Sequence, residues 1–248
     1  MIVCKSDQEI AYMKDAGKIV GQAHREIEKV ITPGMTTQEL DKIAEDFILG
    51  KSARPAFKGY HGFPSTICAS INEQVVHGIP GLRKLENGDI ISIDIGAEIN
   101  GYFGDSAVTL PVGDVSLQAL ELIRVTEDAL YHGIDQALTC NRLSDISHSI
   151  QSFVEGKGYS VVRDYVGHGI GTQMHEEPQI PNFGRPGRGV RLRPGMTLAI
   201  EPMVNQGTYE VKTLGDSWTV VTKDNKLSAH FEHSIAITDK QPDILTKI

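Results

Sequence analysis

Cysteine, tryptophan and long apolar runs are all scarce in this 248-residue chain. The three cysteines, Cys4, Cys68 and Cys140, are far apart and odd in number, so they indicate neither a disulfide framework nor a zinc finger. No apolar run approaches the length of a membrane span, and the segment MIVCKSDQEI lacks the apolar core of a signal peptide. The sequence therefore predicts a protein of the reducing cytoplasm that does not enter a membrane.

Positive charge is also in short supply. The formal net charge of −8 argues against general binding to nucleic acids or to membrane surfaces. The HExxH helix, the GxSxG elbow and the phosphate-binding P-loop are missing, and the glycines around His168 lack the spacing of a dinucleotide-binding loop. What is present is an ordinary globular composition, 40% apolar and 23% charged, in a chain long enough to bury a sizeable core.

The segment IISIDIGAEINGYFGDSAVTL predicts a β-hairpin. Asn100-Gly101 is a strong signal for a two-residue turn, because a type I′ turn needs positive φ at both central residues. This turn pairs Asp94 with Ala107, and strand alternation then puts Asp105 on the same face as Asp94. Two carboxylates in an isoleucine-rich strand pair repel each other and are costly to bury unless a cation neutralises them. From the hairpin alone, a cation site and a solvated strand edge both stay open.

The two halves of the chain show the same order of elements. Capping residues and apolar spacing predict four helices, at residues 7–30, 36–50, 116–138 and 143–155. Ser6 with Glu9 and Thr36 with Glu39 match the capping-box pattern, and Ser144 is a possible cap of the fourth helix. Strands are predicted at residues 65–76 and 160–166.

Acidic residues recur at matching positions of the two halves. The segment LENGDIISID matches LRPGMTLAIE, so Glu201 repeats Asp94, and Glu232 opens a strand run as Asp105 does. Chance similarity between apolar strands explains the apolar matches but not the repeated acids. The repeat suggests a pseudo-twofold sheet whose axis brings both acid pairs to one centre.

Four carboxylates at one centre carry a charge of about −4, which two divalent cations would neutralise. Oxygen-rich ligation with one imidazole favours Mn, Fe, Co or Zn over a thiolate site. Two such ions can lower the pKa of a shared water and yield a hydroxide nucleophile. His168, between glycines at a strand end, is the best imidazole candidate, and a structural turn histidine is the alternative.

The other histidines are weaker candidates. His175 lies seven residues after His168, either over the site or in a surface loop. His77 follows an apolar strand, where a core histidine is a serious competitor. His233 alternates to the face opposite Glu232 and is interpreted as structural. The helical histidines are interpreted as ordinary: His24, His132 and His148.

These residues and their surroundings resemble the type I methionine aminopeptidases of bacterial kind. The resemblance covers nearly the whole chain and rests on the acidic hairpin and on ICASINEQVVHGIP, GHGIG followed by HEEPQ, AIEPMV and WTVVTKDNKLSAHFEHSIAIT. It implies an α+β pita-bread fold, a pseudo-twofold αβ repeat with a curved antiparallel sheet covered by helices. It further implies one metallopeptidase domain over 1–248, with an internal repeat of about 1–115 and about 116–248, acting as a monomer.

The same resemblance implies removal of the initiator N-terminal methionine from nascent proteins when the second residue is small. Asp94 would bind one divalent ion, His168 and Glu201 the other, and Asp105 and Glu232 would bridge both. A bridging hydroxide would attack the scissile carbonyl, and Glu201 would pass its proton to the leaving amine. Which of Co, Mn, Fe and Zn is physiological stays open.

Substrate contacts are likewise implied by the resemblance. His77 and His175 would contact the scissile amide and the tetrahedral intermediate without binding metal. Four residues match positions of the methionine pocket: Tyr60, Phe63, Cys68 and Trp218. From the sequence alone, generic core packing is the alternative for each of these four.

Two other functions stay open. Prolidases and aminopeptidases P share the fold but usually carry a large N-terminal domain, whereas the first predicted helix begins within ten residues of Met1. Some relatives with this fold are binding proteins that have lost metal ligands, whereas all five ligand positions are filled here. A local basic segment could contact ribosomal RNA or could be a solvated loop; it contains Arg185, Arg188, Arg191 and Arg193.

Overall fold

Helices and antiparallel strands alternate along the computed structural model, which describes residues 2–247. Over these residues the helices are α1 (Asp7–Glu28), α2 (Thr37–Gly50), α3 (Leu117–Ile134) and α4 (Leu143–Gly156). Within the same range, none of them is both long and apolar enough to cross a membrane.

Within residues 2–247 the strands form four sheets, and every pairing in them is antiparallel. The strands are β1 Arg54–Pro55, β2 Ile67–Ile71, β3 Gln74–Val76, β4 Ile90–Ile99, β5 Tyr102–Pro111, β6 Ser160–Val161, β7 Gly167–Gly169, β8 Glu176–Ile180, β9 Thr197–Ile200, β10 Met203–Asn205, β11 Val211–Thr213, β12 Val220–Thr222, β13 Ser228–His230, β14 His233–Ala236 and β15 Asp243–Ile244. The strand orders within the four sheets are β1-β4-β2 with β5 on β4, β13-β10-β6, β11-β12-β3 and β15-β14-β9-β7-β8. This mixture of helices and antiparallel sheets confirms the predicted α+β class.

The acidic hairpin forms as predicted. Asn100 and Gly101 have φ values of 55° and 78°, as a type I′ turn requires. The register runs without a slip from this turn, so that Asp94 pairs with Ala107. The turn chemistry and the apolar alternation agree on one register, which places both hairpin acids on one face.

The hairpin is joined to the second half of the chain by backbone hydrogen bonds. Glu232 donates its N–H to the carbonyl of Ala107 at 2.9 Å, and Ala107 donates to the carbonyl of Glu232 at 3.4 Å. The Ser234 hydroxyl accepts from the Asp105 N–H at 3.0 Å and donates to the Asp105 carbonyl at 2.8 Å. Strand β5 therefore lies beside the start of β14, and this contact brings Asp105 next to Glu232.

The helices cover the sheets with their apolar faces. Helices α1 and α2 pack on the isoleucine-rich strands β2 and β4, whereas α3 and α4 pack on β9, β10, β13 and β14. Ser6 with Glu9 and Thr36 with Glu39 form the two predicted capping boxes. Each cap contributes about 1 kcal/mol by satisfying amide groups at the helix start. The capping residues thus define where α1 and α2 begin.

Three predicted elements differ from the structure. Helix α3 ends at Ile134, because the following residues form turns in which Asn141 donates to the Gln136 carbonyl at 2.9 Å. Ser144 does not cap α4, since its hydroxyl donates to the Arg188 carbonyl instead. The strand predicted at residues 160–166 is only two residues long, because its partner β10 pairs with just these two.

Replacing Gly104 by alanine should destabilise the protein, because α1 crosses β5 at this residue. A Cβ at Gly104 would lie 2.7 Å from the Gly17 nitrogen, where only backbone can yield. We expect Gly104→Ala to lower the free energy of unfolding by about 1–3 kcal/mol in a denaturant titration. Gly50→Ala is the control, since a Cβ there has open space, and it should be neutral or stabilising. Equal stability of the two variants would contradict this packing.

Candidate active site

One cavity of about 250 Å³ lies where the hairpin meets the second half of the chain. Strands β4 and β5 supply Asp94 and Asp105, and strand β7 supplies His168. Glu201 directly follows β9, and Glu232 lies between β13 and β14. We call these five residues the floor of the cavity. They come from segments that are far apart in the chain.

The floor residues lie close enough to share a cation. Oxygen atoms of Asp105 and Glu232 and a ring nitrogen of His168 all lie within 4.8 Å of one another. His168 Nε2 is 3.7 Å from Asp105 Oδ2 and 3.7 Å from Glu201 Oε1. Asp94 lines the same cavity. One centre thus gathers the four carboxylates and the imidazole that the sequence analysis singled out.

The carboxylates lack the partners that buried acids need. Asp94 Oδ1, Asp105 Oδ1 and Glu232 Oε1 are buried without a hydrogen-bond partner. Burial raises the pKa of Asp94 to about 7 and that of Glu201 to about 8. Burial, followed by the charges of neighbouring acids, raises the pKa values of Asp105 and Glu232 well above the usual range. Such a cluster is stable as carboxylates only with a positive ion among them, so the donor set fits divalent cations.

The surroundings of His168 keep its imidazole neutral, as a metal ligand has to be. Burial, with a smaller contribution from the nearby His175, lowers the pKa of His168 to about 3. Its Nδ1–H donates a hydrogen bond to the Gly169 carbonyl at 2.9 Å, which leaves the Nε2 lone pair facing the acids. A carbonyl on the far nitrogen is the usual way in which proteins orient a metal-binding imidazole.

The cavity walls are aromatic and apolar. Phe63 contacts Trp218 edge to face with 5.1 Å between ring centroids, and Cys68 is buried beside them. The Tyr60 ring stacks on His175, whose Nδ1 lies 2.9 Å from the tyrosine hydroxyl. A hydrophobic pocket beside a polar floor is the usual form of a small-ligand site.

Two further histidines face the floor from the walls. His175 lies 4.2 Å from His168 between ring centroids. His77 has a positive φ of 59°, which is a strained conformation that proteins keep mainly at functional sites. Its ring meets Trp218 and Tyr165 edge-on. Burial lowers the pKa values of both His77 and His175, to about 4 for His77.

The structure brings together every site residue that was predicted from the sequence. All of them line the cavity: Tyr60, Phe63, Cys68, His77, Asp94, Asp105, His168, His175, Glu201, Trp218 and Glu232. His233 points away, as predicted, and its Nδ1 contacts the Thr246 hydroxyl at 2.8 Å.

The sequence analysis missed His230. This buried histidine lines the cavity, and its Nε2 lies 3.5 Å from Glu201 Oε2 without a hydrogen-bond partner. With Glu201 and Glu232 it forms a second group of candidate cation ligands. Strand alternation contains the signal, because His230 is two residues before Glu232 and so shares its face.

Comparison with known proteins decides the family. The model of metallopeptidase family M24 matches residues 11–239. The chain belongs to metallopeptidase family M24. It is 58% identical to methionine aminopeptidase 1 of Bacillus subtilis over 100% of both chains. It superposes on the crystal structure of methionine aminopeptidase from Thermotoga maritima with a TM-score of 0.98, at 49% identity and over 100% of both chains. These M24 relatives confirm the resemblance and the predicted pita-bread fold.

Solved prolidase structures share the fold at lower sequence identity. The prolidase from Pyrococcus horikoshii superposes with a TM-score of 0.81 at 23% identity, and this chain covers only 64% of its length. At that identity the likeness shows the fold alone. The full-length matches at high identity are to methionine aminopeptidases, which favours the methionine-specific branch over the prolidase alternative.

Cation binding should strengthen as the pH rises. In the metal-free protein Asp94 and Glu201 keep their protons up to about pH 7 and about pH 8, so at lower pH a cation has to displace them. We expect the affinity for Mn²⁺ to increase between about pH 6 and about pH 8, as measured by isothermal titration calorimetry. Glu201→Gln should flatten the pH dependence. An affinity for Mn²⁺ that does not change over this range would contradict the shifted pKa values.

Proposed function

We propose that this protein is a metal-dependent aminopeptidase that removes N-terminal methionine from nascent polypeptides when the second residue is small. The observation that carries the proposal is a floor of four carboxylates beneath an aromatic wall, in one cavity; three of the four have a buried oxygen with no hydrogen-bond partner among the described residues. The floor suits hydrolysis assisted by cations, and the wall suits an apolar side chain. The full-length relative from Bacillus subtilis, which is named a methionine aminopeptidase, supports the same conclusion.

The cation ligands in this proposal are five residues. Asp94 would hold one divalent ion, His168 and Glu201 the other, and Asp105 and Glu232 both. The Asp105–His168–Glu232 group supports the shared position of its two acids, because each offers an atom within 4.8 Å of the others. The donor set suits Mn, Fe, Co or Zn, and two such ions would balance four carboxylates.

When bound, the ions supply Lewis-acid polarisation of the scissile carbonyl and lower the pKa of the attacking water. Glu201 borders the floor with 14% of its side chain exposed, so it can accept the proton of that water and deliver it to the leaving amine. His175 and His77 stand on the wall, where they can donate hydrogen bonds to the oxyanion and to the scissile amide.

Methionine fits the wall by shape and by polarisability. Its flexible thioether makes favourable contacts with aromatic rings, and three rings are available here. The proposed pocket consists of Tyr60, Phe63, Cys68 and Trp218, which pack in one apolar cluster with Phe57 and Met174.

Hydrolysis of Met-Ala-Ser tests the proposal directly. Protein reconstituted anaerobically with each metal should release methionine from Met-Ala-Ser and leave Ala-Pro peptides intact. Asp94→Asn should abolish the activity and lower the bound metal, as measured by mass spectrometry. Metal-loaded protein that leaves Met-Ala-Ser intact would refute the proposal, and cleavage of Ala-Pro peptides would favour the prolidase alternative. Absence of bound metal would favour a non-catalytic binding protein.

Loss of the His175 imidazole should slow turnover. We expect His175→Ala to lower kcat by about 10²–10³-fold, which is typical for loss of one oxyanion donor. His132→Ala is the matched control, because His132 packs on Phe153 outside the cavity. Near-wild-type kcat in His175→Ala would remove His175 from the mechanism.

The remaining predictions extend the proposal. We propose a cytoplasmic monomer, with residues 1–248 forming one domain of two related halves. Free thiols at Cys4, Cys68 and Cys140 support a reducing compartment. A transient ribosome contact would use the exposed arginines at 185, 188, 191 and 193.

Charge reversal tests the ribosome contact. Changing all four arginines to glutamate should weaken co-sedimentation with ribosomes, because binding to RNA phosphates depends on basic side chains. The His132→Ala protein serves as a folded control. Unchanged co-sedimentation would show that the arginines form a solvated loop.

A further inference from the structure

A buried lysine near the start of the chain has no part in the chemistry proposed above. The Lys5 side chain is only 3% exposed. Its Nζ bonds to Glu176 Oε2 and also donates to the Val3 carbonyl at 3.3 Å. Burying an ammonium group is costly unless it is paired, so the contact with Glu176 is what keeps Lys5 in this place.

The partner of this lysine organises the turn that carries His175. Glu176 directly follows His175, and its Oε1 accepts from the Gln173 N–H at 3.2 Å and the Thr172 hydroxyl at 3.4 Å. Gly171 donates its N–H to the Gln173 carbonyl at 3.1 Å and closes the turn. One carboxylate thus holds the turn with one oxygen and Lys5 with the other.

Lys5 is held by its backbone as well as by its side chain. Lys5 donates its N–H to the Gly195 carbonyl at 2.6 Å. A Cβ at Gly171 would lie 2.7 Å from Glu176 Oε1 and closer still to the Lys5 side chain, so the two segments pack without space between them. A change in the position of Lys5 would therefore move the turn, both through direct packing and through the ion pair with Glu176.

The backbone of His175 belongs to this turn, whereas its ring lies against the rings of Tyr60 and His168. The residue is exposed, and its Nδ1 lies 2.9 Å from the Tyr60 hydroxyl. Stacking on Tyr60 orients the His175 ring, whereas the turn sets the position of the His175 backbone. A catalytic group that is displaced by about 1 Å can lose as much as 10²-fold in rate.

We infer that Lys5 is a positioning residue: through its ion pair with Glu176 it sets the turn that presents His175 to the substrate. The inference rests on the proposed function, because it needs His175 to contact the reacting peptide. The segment before α1 then acts on the active site indirectly, since Lys5 contacts neither substrate nor cation.

A double-mutant cycle between Lys5 and His175 tests the inference. Lys5→Met keeps a side chain of similar length without the charge, and we expect it to lower kcat for Met-Ala-Ser roughly 10- to 100-fold. The affinity for Mn²⁺ should stay unchanged, since the cation ligands lie on other elements. In the His175→Ala background the same substitution should have little further effect, because the group that it positions is already absent.

Lys14→Met is the matched control. Lys14 pairs with Asp243 at 3.0 Å on the surface, with 44% and 40% of the side chains exposed, and its loss should leave kcat unchanged. If Lys5→Met does not fold, Glu176→Gln takes its place in the cycle, because it removes the other charge of the same pair.

The outcomes separate this inference from the proposed function. Wild-type protein that does not hydrolyse Met-Ala-Ser overturns the proposed function. Active wild-type protein in which Lys5→Met behaves like Lys14→Met overturns the positioning role. The role is also overturned if Lys5→Met lowers kcat by the same factor with and without the His175 imidazole, since that result describes general destabilisation.

Discussion

The structure depends on holding four carboxylates in one cavity while the strands around them remain apolar. Asp105 and Glu232 become neighbours because Ala107 and Glu232 exchange backbone hydrogen bonds across the two halves of the chain. Removing these acids from water is unfavourable, and the raised pKa values of the cluster express that cost. Close packing of isoleucine-rich strands under α1 and α2 stabilises a fold that would otherwise resist such a concentration of charge.

Floor and wall of the cavity have separate physical tasks. The floor comes from strands that meet at the junction of the two halves, and its donors suit hard or borderline divalent ions. The wall comes from the loop before β2, from β2 itself and from Trp218, and it offers rings and a thiol to an apolar side chain. Burial connects the two parts, because it keeps His77, His168 and His175 neutral and so available as donors or ligands.

The position of His175 in the cavity wall depends on residues that do not line the wall. His175 is on an exposed turn, yet the turn is joined to β8, to Gly171 and to the chain before α1. The Lys5–Glu176 pair is well placed for this because a paired charge in a buried place tolerates few alternative geometries. Rigidity in this region is thus supplied in part by Lys5, which is distant from His175 in the sequence and close to its turn in space.

Sequence patterns of a few adjacent residues were sufficient to predict the local elements of the fold. Asn100-Gly101 determined the hairpin turn and its register, and Ser6 and Thr36 determined where α1 and α2 begin. The repeat of acids predicted that both halves supply the site, and the family resemblance predicted the wall residues and the two histidines, His77 and His175, that line the cavity. His230 was also within reach, since alternation puts it on the face of Glu232.

Long-range contacts decided what local patterns could not. Ser144 has the residue type of a helix cap, but its hydroxyl is taken by Arg188, more than 40 residues away in the chain. The role inferred for Lys5 is invisible in the sequence, because nothing in MIVCKSDQEI indicates a contact with Glu176. Turn type and strand alternation are properties of a few adjacent residues, so the sequence alone determined them. Which segments become neighbours follows from how the whole chain buries its apolar surface, and only the tertiary structure could decide it.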